Sequence, residues 1–181
     1  GWLFRSRGHV ARLWSSAEAL IASGEIGRCG CLLLDIRMDG MSGLELFEWL
    51  RENGHDIPVI FLTGHGDVPM AVGAIKQGAF DFVEKPFNDN ELVDRALAAL
   101  AMHQQQLSKR AAAQAIDERV AQLTQREIEV MERVLAGQMN KVIASDLGVT
   151  MRTVEVHRAR IFEKMGVRSA VELAQVLAAR K

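Results

Sequence analysis

No apolar run in this 181-residue chain approaches the ~20 residues that span a bilayer. Residues 1–13 scatter three arginines among apolar side chains, where a secretory leader needs an unbroken hydrophobic core. Neither a membrane span nor export is therefore expected. Cysteine is scarce: Cys29 and Cys31, one residue apart, miss the spacing of zinc ligands and cannot easily bridge within a strand. They read as reduced buried or turn thiols, which agrees with a cytoplasmic location. Also missing are a nucleophile elbow, a phosphate-binding glycine loop and an acid–base pair, so the chain does not read as an enzyme of the doubly wound class. The net charge is only −1, but residues 1–122 hold 12 basic against 16 acidic side chains, and residues 123–181 hold 10 against 7. The basic stretch is the candidate partner of a nucleic acid. With 49% hydrophobic residues the chain can bury one or two modest cores.

What is present is an apolar run that stops at a carboxylate. Leu32, Leu33 and Leu34 lead into Asp35, and a glycine-bearing turn follows through Ile36-Arg37-Met38-Asp39-Gly40-Met41-Ser42-Gly43. Asp35 thus sits at a strand's carboxyl end, where open parallel sheets collect ligands and chemistry. Residues 57–62 form a second such run and end in Thr63-Gly64-His65-Gly66; residues 79–84 form a third and end in Lys85-Pro86-Phe87. Helical patterns over 43–52 and 68–77 separate them, giving βαβ units whose right-handed crossovers gather Asp35, Thr63 and Lys85 on one edge. Taken singly, Asp35 could cap the following turn, Thr63 could be a turn hydroxyl and Lys85 a solvated charge.

Together, at spacings of 28 and 22 residues, these motifs resemble the receiver domain of two-component response regulators. Asp-x-Arg-Met-x-x-Met-Ser-Gly, Thr-Gly-His-Gly-Asp-Val-Pro-Met-Ala and Phe-x-Glu-Lys-Pro-Phe are most similar to the FixJ and TtrR branch of the NarL/FixJ family. The resemblance implies a flavodoxin-like doubly wound parallel sheet over residues 1–100. It also implies that Asp35 takes a phosphoryl group from a sensor histidine kinase, with Lys85 offsetting charge, Thr63 swinging toward a phosphoryl oxygen, and Phe82 as the switch aromatic. It implies Mg2+ as well, held by Asp35 and the backbone carbonyl of Arg37.

Two departures qualify the resemblance. Asp39 stands where the family usually has proline, removing a φ constraint and adding a carboxylate near the site. The family's opening strand, which ends in a metal-holding acidic pair, has no counterpart here: residues 1–8 read as the end of a first helix, 9–14 as the second strand, and a helix begins near Ser15. A fragment lacking its first, central strand is expected, with Mg2+ binding weak or absent and phosphorylation inefficient.

From Asn88 an amphipathic pattern marks the receiver's last helix, with Asn88 or Asn90 able to cap it, and residues 101–121 read as an exposed helical linker. Beyond it, Thr124 and Glu127 form a capping box for a helix reaching about Ala136. Two more helices, over 141–147 and 152–165, are stopped by Gly148 and Gly166, which is the mark of a helix-turn-helix. Leu-Thr-x-Arg-Glu-x-Glu-Val, Gly-x-x-Asn-Lys-x-Ile-Ala-x-x-Leu-Gly-Val and Thr-Val-Glu-Val-His-Arg resemble the LuxR-type DNA-binding domain, here over 122–181.

In the third of these helices Val154, Ile161 and Met165 form an apolar stripe. Arg152, Val156, Ala159 and Arg160 lie opposite, on the face that would enter a major groove. There Val156 and Ala159 could meet thymine methyls, Glu155 a cytosine, and Arg152 or Arg160 a guanine or phosphate, with Thr153 beside them. Lys141, Lys164 and Arg168 suit phosphate anchoring, although each basic residue could equally be a solvated charge. Arg158 should pack its stem and snorkel its head, and His157 lacks a second metal ligand four residues away. A last helix near 169–178 carries Val171, Leu173, Ala174 and Val176 as a possible dimer surface.

The combined resemblance implies a transcriptional regulator in which phosphorylation of Asp35 reshapes the face made by 68–77 and 80–84. A homodimer then binds double-stranded promoter DNA and engages RNA polymerase, with no membrane partner. The alternative is a DNA-binding regulator that works without phosphorylation and uses a degenerate receiver as a dimerisation module.

Overall fold

The computed structural model describes residues 2–64 and 67–180, with the backbone alone at 2 and 3. His65 and Gly66 of the threonine motif lie outside the described residues. The chain divides into two units, Gly1–Gln106 and Leu107–Lys181.

In the first unit a short helix α1 (Trp2–Ser6) precedes α2 (Ala17–Ser23), β1 (Leu32–Asp35), α3 (Gly43–Glu52), β2 (Val59–Thr63), α4 (Val68–Lys76) and β3 (Asp81–Glu84). The three strands form one parallel sheet in the order β1-β2-β3, with Asp35 opposite Leu62 and Thr63 opposite Glu84. Parallel strands buried on both faces need continuous apolar sequence, which Leu32-Leu33-Leu34 of β1 and Val59-Ile60-Phe61-Leu62 of β2 supply, whereas β3 reads Asp-Phe-Val-Glu. Leu32, Leu34 and Phe61 pack with Leu20, Leu46 and Phe47 on one face. Leu33, Ile60 and Val83 pack with Leu92 and Ala96 on the other. The first of these layers is set by α3, whose N-cap Ser42 and Glu45 form a reciprocal capping box. Gly43 begins that helix against β1, where a Cβ would lie 2.2 Å from the carbonyl oxygen of Asp35.

One expected strand is not there. Residues 9–14 carry no strand pairing, and residues 10–15 make no backbone hydrogen bond to any described residue. A strand exists through its ladder, and the neighbour this one needs is not among the described strands. The last receiver helix and the linker also prove to be one continuous helix, α5 (Asp89–Ala121), because no glycine or proline interrupts a run of good helix formers.

The second unit packs α6 (Gln125–Leu135), α7 (Asn140–Leu147), α8 (Met151–Met165) and α9 (Ala170–Ala178) around Val130, Ile143, Val154, Ile161, Met165 and Leu173. Ile116, near the end of α5, joins this core. Gly148 and Gly166 end α7 and α8 at φ of 64° and 66°, the left-handed region that side chains with a Cβ avoid. Leu173 is wholly buried in its own unit, which removes it from any dimer surface on α9; Val171 remains exposed. Among the described residues no helix is long and apolar enough to cross a membrane.

Candidate phosphoryl site and nucleic-acid interface

Asp35, Thr63 and Lys85 converge at the carboxyl edge of the sheet. Asp35 ends β1, and one of its carboxylate oxygens accepts a short ionic hydrogen bond from Lys85 Nζ. The other accepts from the Arg37 amide at 3.2 Å. Lys85 is brought there by the ladder, since its own amide donates to the Thr63 carbonyl at 2.8 Å. Thr63 is completely buried, and its Oγ1 has no partner among the described residues. A buried hydroxyl without a partner costs free energy, so an acceptor brought within its reach gains a ready donor. Phe82 lies half-buried on β3 and packs against the core beneath the site.

The sequence did not point to the partner of Arg37. Its Nε reaches both carboxylate oxygens of Asp67, at 2.9 and 3.1 Å, and its Nη2 lies 2.8 Å from one of them. Asp67 is buried and stands just before α4, so this fork ties the turn after Asp35 to the start of that helix. The Arg37 hydrogen bond holds the Asp67 carboxyl below the usual carboxylate range, and the Lys85 charge acts in the same direction. Nothing local pairs residues 30 apart, so this contact could be read only from the fold. Glu18 of α2 likewise accepts from the Met41 amide at 2.8 Å and steadies the same turn.

Mg2+ belongs to the receiver family, and the resemblance would have it held by Asp35 and the backbone carbonyl of Arg37. Among the described residues no group of three or more His, Cys, Asp and Glu is placed to hold a metal ion. Asp35, one of whose oxygens also accepts from Lys85, and the Arg37 carbonyl are two of the oxygen donors such an ion would take. The cysteines offer no alternative: both are free, and burial pushes the Cys31 thiol up to about 12.

In the second unit α8 buries Val154, Ile161 and Met165 and turns Arg152, Glu155, Val156, Ala159 and Arg160 to solvent. Lys141 is exposed at the start of α7. Two of the expected contacts are engaged elsewhere. Lys164 donates to the buried carboxylate of Glu127 at 2.7 Å and to the Gln122 carbonyl at 3.1 Å, a packing role that a phosphate contact would have to break. Thr153 closes the cap of α8 by donating its amide to Thr150 Oγ1 at 3.1 Å. Arg158 lies over the Phe162 ring, 5.5 Å from its centroid, and reaches Asn140 Oδ1.

A parallel sheet with those three groups at its tip, joined in one chain to a helix-turn-helix, has close counterparts among known proteins. Residues 1–97 match the response regulator receiver domain, and residues 121–177 match the bacterial regulatory proteins of the luxR family. The chain is a response regulator of the NarL/FixJ type. Over 178 residues the regulator is 53% identical to the C4-dicarboxylate transport transcriptional regulatory protein DctR of Rhodobacter capsulatus, covering 97% of this chain and 90% of that protein. It is 42% identical to the transcriptional regulatory protein FixJ of Azorhizobium caulinodans, covering 97% and 83%. Among solved structures, response regulator StyR superposes with a TM-score of 0.90 at 38% identity, covering 97% of this chain and 89% of that one. These relatives are transcriptional regulators, not enzymes, and the response regulator takes its class from them.

Proposed function

We propose that this response regulator accepts a phosphoryl group on Asp35 from a sensor histidine kinase and, as a homodimer, binds promoter DNA through α8 to regulate RNA polymerase. The observation that carries the reading is Asp35 held by Lys85 beside the buried, unpartnered Thr63 hydroxyl. In the transfer, the phosphorus–nitrogen bond to the kinase imidazole breaks and a bond to an Asp35 carboxylate oxygen forms. Lys85 offsets charge on the phosphoryl oxygens, and Thr63 swings its hydroxyl toward one of them. Phe82 fills the space this leaves, which alters the surface of α4 and β3. Met70 and Val72 are already exposed on α4, an apolar start for a dimer contact. Pairing sets two α8 helices on half-sites about one helical turn apart, with Arg152, Glu155, Val156, Ala159 and Arg160 on base edges and Lys141 on phosphate. In this reading 1–100 is the receiver, 101–121 the linker and 122–181 the reader.

Incubation with a small phosphodonor and Mg2+, followed by intact-mass measurement, tests the acceptor. The expected result is slow, partial addition of one phosphoryl group, absent from Asp35→Asn. Equal labelling of that variant would refute Asp35 as the acceptor, and near-complete labelling of the wild type would refute weak metal binding. In a second reading the receiver serves only as a dimerisation module and DNA binding is independent of phosphate. An oligomer size and a DNA affinity unchanged by phosphodonor would select it.

A further inference from the structure

The last turns of α5 lie within the second unit and hold more of it than a linker would. Ile116 and, just past the helix, Leu123 are buried in that unit's core. Asp117 forms an ion pair with Arg180, beyond the end of α9. Between these anchors Arg119 reaches the far end of α8, where its Nη1 donates to the Met165 carbonyl at 3.1 Å. Met165 is wholly buried and is the last residue of α8, so its carbonyl is one of those that no further turn can satisfy. The amides of Gly166 and Val167 turn back to Glu163 and Phe162, which leaves the Met165 carbonyl to a side chain. Gly166 keeps the seat open, since a Cβ there would lie 3.4 Å from Arg119 Nη1. A cation at this terminus also meets the negative end of the helix dipole. The tie is returned from the other side: Lys164 of α8 donates to the Gln122 carbonyl at 3.1 Å.

We propose that Arg119 is a positioning residue for DNA reading, on the footing that α8 is the groove helix: it fixes the direction of α8, so that the far turns of the helix meet base edges. The start of α8 is set independently. Thr150 caps it, and the Val149 amide donates to the Ala144 carbonyl of α7 at 2.9 Å. With that end held by the turn, the direction of a 15-residue helix, about 22 Å long, is decided at its other end. Arg152 stands next to the held end, and Arg160 lies about 12 Å further along. Release of the Arg119 tie therefore displaces Ala159 and Arg160 more than Arg152. Hydrogen bonds to base edges fail over a displacement of about 0.5 Å, whereas a charge near a phosphate tolerates it. Arg119 thus acts on discrimination between sequences and not on the electrostatic part of binding, although it touches no base.

The test uses the full chain, a fluorescent duplex that it selects from a random-sequence pool, and a scrambled duplex of equal length, with anisotropy titrations at several salt concentrations. Arg119→Met removes the donor and the charge and keeps the apolar stem. It should weaken binding to the selected duplex roughly tenfold and to the scrambled duplex less than about twofold, with the salt slope unchanged because no phosphate contact is lost. Arg119→Lys, which keeps a charged donor, should recover most of the loss. On the selected duplex the effect should be non-additive with Arg160→Ala and additive with Lys141→Ala. Hydrogen exchange should quicken only at the end of α8; if it shows the second unit of Arg119→Met unfolded, the milder Arg119→Gln takes its place. A salt slope lower by about one would make Arg119 a phosphate contact, and equal losses on both duplexes would make it a mere stabiliser. Either result overturns the assignment. Unchanged binding by Arg119→Met, while Lys141→Ala and Val156→Asn alter binding, would overturn it alone. Unchanged binding by all three variants would take α8 out of the groove, and the role of Arg119 with it.

Discussion

Arg37 shows how far a single side chain can exceed what its position in a motif announces. Only its backbone carbonyl was expected at the site, yet its guanidinium forks onto buried Asp67 and joins the acceptor turn to α4. Asp67 is held below the usual carboxylate range by that fork, so the stability it contributes is fully present above the unfolded-state value of about 3.9. It is lost as pH falls through the lower folded value. Asp67→Asn should therefore lower the chemical-denaturation midpoint at pH 7, and its difference from wild type should shrink only below about pH 4. A difference that closes near neutrality would assign the effect to another group. Glu127 offers the parallel case in the second unit, where it completes a capping box and pairs with Lys164. Glu127→Gln should cost roughly 2 kcal/mol in urea unfolding, and Glu127→Gln with Lys164→Met should cost less than the two single changes added together. The capping box was legible from Thr124 and Glu127 alone, because it spans three residues. The pair with Lys164 was not, because it spans 37.

Elements were legible wherever local chemistry closes them. Ser42 and Thr124 start α3 and α6, Gly148 and Gly166 stop α7 and α8, and each boundary falls within a residue or two of its expected place. Residues 9–14 failed for the opposite reason, since a strand is decided by its neighbour rather than by its own residues. The fit between α3 and β1 is equally non-local. Gly43→Ala would place a methyl 2.2 Å from the Asp35 carbonyl, against backbone that cannot yield. It should destabilise the first unit by about 1–3 kcal/mol and shift the Asp35 and Arg37 amide resonances. An unshifted spectrum would mean that α3 moves freely on the sheet. The exposed residues of the second unit divide by chemistry: Lys141→Ala at the start of α7 should weaken binding to all DNA sequences alike, reducing the salt slope by about one. Val156→Asn should instead change which base is preferred, and leave that slope alone.

At the scale of the whole molecule, charge and burial separate two kinds of work. The acidic first unit brings a carboxylate, a hydroxyl and an amine together, while the more basic second unit presents a helix face to solvent. DNA affinity of the intact chain should fall linearly on logarithmic axes of affinity against salt, a relation checked by anisotropy titration at several ionic strengths. A flat line would place the binding in apolar contacts instead. The sequence by itself determined the family, the order of the elements, the three strand-tip residues and the buried stripe of α8, because each rests on short spacings, periodicity or a cap. Only the tertiary structure decided that Arg37 grips Asp67 and that Lys164 pairs with Glu127. Those outcomes depend on which distant groups meet, and no rule of local spacing carries that information.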